Sequence, residues 1–337
     1  MRALVLGATG FIGGNLVRAL LESGHAVRAF RRRPGPSLAL AGLGTERLEE
    51  AVGDVRDRGA VESALAGCDV LYHVAGYYAE TGLDLPGALR EGVASVRPVL
   101  EAARRVGVPR VVYTSSLSTV GRPNEPGRLA NESDYYVPGS SGHPYTEAKY
   151  AMEQEVYRYI AWGLPAIVIC PTAVFGPGDV KPTSGIATLA IARSALPFYI
   201  EGQINVVDVR EVALGQVAAA ERARLGEKYL IGGWNVRVSD LMRVVAEAAG
   251  VAPPRRRVPG WLASALAVAG EEAGQLVPGN PAKFLTNGVQ QIRSGQYLDC
   301  SKAERELGVG RRPLAETFRD SLSWFREHGY LDRQRQG

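Results

Sequence analysis

The first 171 residues alternate short apolar runs with stretches of helical period. Arg2 to Leu6, Ala26 to Phe30, a brief run at Ala51-Val52, Val70 to Val74, Arg110 to Thr114 and Ala166 to Cys170 read as strands, and the segments between them, beginning with Asn15 to Glu22, read as helices. Strands separated by helices predict an α/β fold, a doubly wound parallel sheet with helices on both faces. Ligands bind such sheets beyond the carboxyl ends of the strands. The loops after Leu6, Phe30, Val74, Thr114 and Cys170 are therefore where chemistry is expected.

The first of these loops is Gly7-Ala8-Thr9-Gly10-Phe11-Ile12-Gly13, set between a strand and a helix. Gly7 permits the tight turn, Gly10 lets backbone approach a phosphate, and Gly13 lets the helix pack on the strand, so a pyrophosphate can sit at the helix N-terminus. The second loop reads Arg31-Arg32-Arg33-Pro34, with no Asp or Glu between His25 and Pro36. An acidic residue there would accept from the 2′-hydroxyl of NAD, whereas arginine suits a 2′-phosphate, so NADP(H) is favoured and NAD(H) is the alternative. The competing reading is a solvated arginine run. After the third strand, Asp54-Val55 offers Asp54 either to an adenine amino group or as the cap of the next helix. Ala75 and Gly76, after the fourth strand, are small enough for a cofactor ribose to pass; His73 just before them reads as a packed strand residue.

The fifth strand ends in Tyr113-Thr114-Ser115-Ser116, and downstream Tyr145-Thr146-Glu147-Ala148-Lys149 opens a helix running to about Trp162. Residues four apart share a helix face, so Tyr145 and Lys149 project together. The ammonium, with an oxidised nicotinamide, is expected to lower the phenol's pKa and let Tyr145 exchange a proton at neutral pH, while Ser116 holds the substrate oxygen. The stretch from Leu117 to His143, rich in Gly, Pro and Asn, is long enough to be a mobile flap.

Composition narrows the partners. The net charge of +4 in 337 residues, with no basic block longer than three, gives no nucleic-acid signature. Cys68, Cys170 and Cys300 are far apart, and the four histidines lack ligand spacing, so neither a disulfide framework nor a metal is expected. The longest apolar stretch, Trp261 to Ala269, is too short to span a bilayer, and the N-terminus lacks a secretory pattern; a cytoplasmic location follows as an expectation.

Together these residues resemble the extended short-chain dehydrogenase/reductases. The likeness extends to Pro171-Thr172-Ala173-Val174-Phe175-Gly176-Pro177, to Val207-Asp208-Val209-Arg210-Glu211-Val212-Ala213, and to Ser301-Lys302-Ala303-Glu304-Arg305-Glu306-Leu307-Gly308. The resemblance implies a Rossmann domain over residues 1–171, rejoined by 203–233, a smaller substrate-binding lobe over 172–202 and 234–330, and a tail over 331–337. It implies hydride transfer, with Ser116, Tyr145 and Lys149 as catalytic residues, Lys149 on the nicotinamide ribose, and Gly7, Thr9, Gly10, Phe11, Ile12, Gly13, Arg31, Arg32, Asp54, Val55, Ala75, Gly76, Pro171 and Val174 around the cofactor.

Within the family, Gly176 to Thr183 is similar to the branch holding dihydroflavonol 4-reductase-like proteins and hopanoid-associated sugar epimerases. Cys170 and Ala173 stand where nucleotide-sugar members usually carry Arg-x-x-Asn, which weakens the epimerase reading. Pro98, in the helix after the fourth strand, is expected to kink or restart that helix. The family also suggests a homodimer through this helix and the one bearing Lys149. The expected activity is NADP(H)-dependent reduction of a small-molecule ketone or aldehyde. The alternatives are an NAD-dependent sugar epimerase or dehydratase with retained cofactor, and a nucleotide-sensing protein without catalysis.

Overall fold

The structure, a computed structural model, describes residues 1–76, 84–196, 198–265, 289, 292–293 and 295–331. In chain order the elements are β1 (Arg2–Leu6), α1 (Phe11–Glu22), β2 (Ala26–Arg31), β3 (Leu48–Val52), α2 (Arg58–Leu65), β4 (Val70–His73), α3 (Leu85–Val106), β5 (Val111–Thr114), a single 3-10 turn (Leu117–Thr119), α4 (Pro144–Ala161) and β6 (Ala166–Pro171). There follow β7 (Ala173–Phe175), α5 (Gly185–Ala192), β8 (Phe198–Tyr199), β9 (Gln203–Asp208), α6 (Val209–Arg222), β10 (Lys228–Ile231), β11 (Trp234–Arg237), α7 (Val238–Ala249), β12 (Arg256–Arg257), α8 (Ser301–Leu307) and α9 (Leu314–Glu327).

The chain divides into two compact units. The first holds Met1–Thr172, Val209–Ile231 and Asp299–Gly310; the second holds Ala173–Asp208, Gly232–Leu298 and Arg311–Gly337. The return to the first unit thus starts at α6, not at residue 203, because Gln203–Asp208 pairs with β7 and β11 in a separate three-stranded sheet.

The first unit is built on a seven-stranded sheet in the order β10-β6-β5-β4-β1-β2-β3, every pairing parallel. Its strands need no alternation, because helices pack around the sheet; Ala3, Leu4, Val5 and Leu6 are all fully buried. The order reverses at β1, which has β2 on one side and β4 on the other. A ligand crevice opens at this reversal in doubly wound sheets. Around the sheet α1 packs against α6, and α2 and α4 each pack against α3.

Helix α3 begins at Asp84, whose carboxylate accepts from Gly87 N at 2.8 Å, and ends at Gly107 in left-handed geometry (φ 72°). Pro98 lies inside it, yet the helix is one unbroken element over Leu85–Val106, contrary to the expected restart. Ala94, whose carbonyl loses its usual donor, is exposed, and the buried stripe that includes Ser95, Val96, Val99 and Leu100 holds the helix against its neighbours. Gly92 explains how close it comes to α4: a Cβ there would meet Ala148 and Met152 at 3.4 Å.

In the second unit, Phe175, Ile191, Val206, Leu241, Val245, Ala246 and Phe318 form a small core, with Phe175 and Phe318 rings 5.2 Å apart. Trp261 is 69% exposed and lines no core. Phe284, Leu285 and the tail beyond Leu331 lie outside the described residues.

Two side chains finish the outer rim of β10. Glu132 accepts from Leu230 N at 2.8 Å, and Lys302 Nζ donates to the Lys228 carbonyl at 2.6 Å.

Candidate active site

The glycine loop occupies the reversal point. Gly7 adopts φ +86°, and a Cβ on it would lie 2.7 Å from Ala75 N, so the loops after β1 and β4 touch backbone to backbone. A Cβ on Gly13 would sit 2.0 Å from Gly7 O, which fixes the start of α1 against the turn. Gly10 differs. A Cβ there would meet only Gly7 O, at 3.3 Å, so the fold itself presses on this exposed position far less than on Gly7 or Gly13. Gly10 caps α1 without a side-chain acceptor, and the first turn carries no acidic residue. Amides at a helix start left without a side-chain partner, in front of a position with no side chain, suit an anion. Thr9, Phe11 and Ile12 are half-buried around this cradle, which fits a dinucleotide pyrophosphate.

At the adenosine side, Arg31 is not the free cation its sequence neighbours suggested. Its side chain is buried, with Nη1 donating to Glu50 Oε2 at 2.6 Å and Nη2 to the Gly35 carbonyl. Glu50, on β3, lies beyond the stretch from His25 to Pro36, yet β2 and β3 are register neighbours. Arg32 is exposed. Asp54 accepts from Arg56 N at 2.9 Å, while the cap of α2 is Asp57, which accepts from Ala60 N. The capping alternative for Asp54 therefore falls away. Val55 is half-buried beside it, as are Ala75 and the Gly7 turn; Gly76 is exposed, and Pro171 closes β6. Val174 lies on β7 in the second unit, its carbonyl accepting from Ser184 Oγ.

Ser116, Tyr145 and Lys149 all belong to the first unit, where the end of β5 meets the start of α4. Ser116 Oγ accepts from Ser118 N at 3.2 Å and from Ser118 Oγ at 3.1 Å. A hydroxyl has two acceptor positions and one proton, so the Ser116 proton is left to donate. It is spent on the Tyr145 phenol, to which Ser116 is hydrogen-bonded. Burial raises the phenol's pKa above its ordinary value, and this bond offsets only part of the rise. This is the phenol of the chain alone, with Lys149 Nζ, itself buried, 5.8 Å from the ring centroid. Burial pushes Lys149 down to about 8. His73 is fully enclosed, its pKa pushed to about 3 by burial and then by the charge of Lys149. It is a packed neutral ring, edge-on to Tyr113 at 5.5 Å.

The segment after Ser116 carries bonds of its own. Val120 bridges Tyr135, Gly121 N donates to Asp134 O at 2.7 Å, and Arg128 pairs with Asp134, holding its carboxyl below the usual range. Farther on, buried Glu147 accepts from Tyr136 Oη at 2.5 Å and from Gly139 N at 3.0 Å. Nothing in the sequence singles out Glu147, which stands between Tyr145 and Lys149. Its polar neighbours lie six to eleven residues upstream in an irregular segment, where periodicity carries no signal.

Comparison with known proteins now places the chain. The model of the NAD dependent epimerase/dehydratase family matches residues 3–232. The protein belongs to that family. As an extended short-chain dehydrogenase/reductase it is an NAD(P)-dependent oxidoreductase in class. A putative dihydroflavonol 4-reductase of Synechocystis sp. is 33% identical over 336 residues, covering 98% of this chain and 96% of that protein. Sterol demethylase protein B of Methylococcus capsulatus is 33% identical, covering 98% and 100%. Among solved structures, gox2253 superposes with a TM-score of 0.82 at 34% identity, covering 98% of this chain and 99% of that one. Among the described residues, no helix of this family member is long and apolar enough to cross a membrane, and no cluster of three His, Cys, Asp or Glu could hold a metal.

Proposed function

We propose that the protein reduces a ketone or aldehyde on a moderately apolar small molecule, using NADPH, with Tyr145 as the proton donor. The observation that carries this reading is the meeting of Ser116, Tyr145 and Lys149 at the carboxyl edge of the same parallel sheet whose first strand ends in a glycine cradle suited to a dinucleotide. When bound, the reduced nicotinamide supplies a hydride to the carbonyl carbon. The chain's own residues handle the oxygen. A phenol whose pKa is raised by burial is protonated at neutral pH, which suits a general acid in the reducing direction. Ser116 can turn its proton from Tyr145 to the substrate oxygen, so both hydroxyls converge on the developing negative charge. Lys149, four residues along the same helix face, holds the cofactor ribose. A relative named a dihydroflavonol 4-reductase supports the reducing direction.

The charge state of Lys149 gives a pH signature. With its pKa at about 8, the ammonium is present below that pH and is lost as pH rises through it. kcat/KM for carbonyl reduction is accordingly expected to fall above about pH 8, and Lys149→Arg, which stays charged, is expected to lose this alkaline limb. A profile flat through pH 9 in the wild type would exclude Lys149 from the step.

NADPH preference rests on Arg32, because Arg31 is engaged by Glu50 and Gly35. A charge-assisted bond to a phosphate contributes about 1.5–3 kcal/mol, so Arg32→Asp is expected to weaken NADPH binding roughly 10- to 150-fold and leave NADH nearly unchanged. Calorimetric titration of nucleotide-stripped protein at one ionic strength checks this. Equal binding of both nucleotides by the wild type, or nucleotide that cannot be stripped, would instead favour an NAD-retaining epimerase or dehydratase.

A further inference from the structure

Behind the three residues lies a buried polar cluster that the reaction itself does not use. Glu153, on α4, is 1% exposed. Its Oε1 forms an ion pair with Lys228 Nζ at 2.5 Å, Lys228 standing on β10 and likewise buried. Its Oε2 accepts from Ser115 Oγ and from Thr119 Oγ1, the latter at 2.6 Å. Lys228 Nζ also reaches Thr119 O and Oγ1, both at 3.4 Å. Cys170, on β6, closes the cluster, with Sγ 3.7 Å from Glu153 Oε2.

Position makes this cluster relevant to the site. Ser115 directly precedes Ser116. Thr119 follows it by three residues and is bonded back to it, its amide donating to the Ser116 carbonyl at 3.1 Å, while its one hydroxyl proton goes to Glu153. Ser116 is therefore bracketed by two residues whose side chains end on one carboxylate oxygen. Glu153 itself lies four residues beyond Lys149 and eight beyond Tyr145, on the same face of α4. One carboxylate thus ties the turn carrying Ser116 to the helix carrying Tyr145 and Lys149.

We propose that Glu153, held by Lys228, is a positioning residue that sets Ser116 against the Tyr145 hydroxyl through Ser115 and Thr119. A charged acceptor gives shorter and stronger bonds than a neutral one, and its environment excludes water that could compete. Lys228 supplies the counter-charge that a carboxylate this deeply buried needs. The proposal rests on the reading of Ser116 and Tyr145 given above, and its test separates the two.

The probe is 3-fluorotyrosine installed in place of Tyr145, its fluorine resonance read by NMR at one pH in the otherwise intact chain without substrate. Ser116→Ala is expected to move the resonance by removing the bond to the phenol. Thr119→Val, close to isosteric, is expected to move it to the same place, to add nothing in the Ser116→Ala background, and to be rescued by Thr119→Ser. A merely structural Thr119 would change stability and leave the resonance where it was. If Thr119→Val leaves the wild-type resonance in place, or shifts it further in the Ser116→Ala background, the positioning role is wrong. Should Thr119→Val fail to fold, Glu153→Leu with Lys228→Met, which replaces the ion pair by apolar groups of similar length, decides the matter the same way. A resonance that Ser116→Ala itself does not move would overturn the reading of the Ser116–Tyr145 contact.

Discussion

Tyr145→Phe is expected to lower kcat roughly 100- to 10,000-fold, the range over which a positioned proton donor contributes, while NADPH binds as in the wild type. The ring remains and only the hydroxyl is lost. His73 does not replace it as acid: it is neutral, its basicity suppressed by burial, and both its ring nitrogens are enclosed. Stopped-flow oxidation of NADPH against a panel of dihydroflavonols and aromatic aldehydes, beside a binding titration, separates the two effects. Turnover that survives the substitution would show that the proton comes from elsewhere.

The largest effect on stability is expected at Lys228→Met. The substitution keeps most of the side chain's volume but leaves the Glu153 carboxylate buried without a cation. Removing one partner of such a pair costs about 3–5 kcal/mol, whereas replacing both by apolar groups is often neutral. Lys228→Met alone should therefore lower the urea midpoint sharply, and Lys228→Met with Glu153→Leu should recover most of it. If the single and double variants unfold at the same denaturant concentration, the pair is not what makes Lys228 necessary.

These features differ in how far the sequence disclosed them. Six of the seven strands of the first unit, the glycine cradle and the Tyr145–Lys149 face were legible because each is a local pattern: a short apolar run, fixed glycine positions, or a helical period of 3.6. The partner of Arg31 was not legible, because Glu50 is distant in sequence and adjacent only across two strands. Pro98 obeyed tertiary packing over local propensity, as the stripe around Ser95 and Val99 keeps α3 whole. Glu153 carried half a signal, since its spacing from Lys149 puts both on one face. Lys228 carried none: nothing in residues 224–232 announces that this lysine ends at a carboxylate on a helix dozens of residues upstream. The phenol's raised pKa was hidden for a related reason, because spacing supplies a neighbouring charge but not the extent of burial that opposes it.

The two contacts on the outer rim of β10 bear on how copies of the protein behave toward one another. An edge strand offers a row of free amides and carbonyls, an invitation for another chain to add itself by β-augmentation. Here the amide at Leu230 is occupied by Glu132 and the carbonyl at Lys228 by Lys302, one from the segment after Ser116 and one from α8. An incoming strand would have to displace a charged side chain at each of two successive outward-facing groups. The same long connection that follows the candidate proton-handling serine therefore also stops the sheet from growing, a safeguard against aggregation.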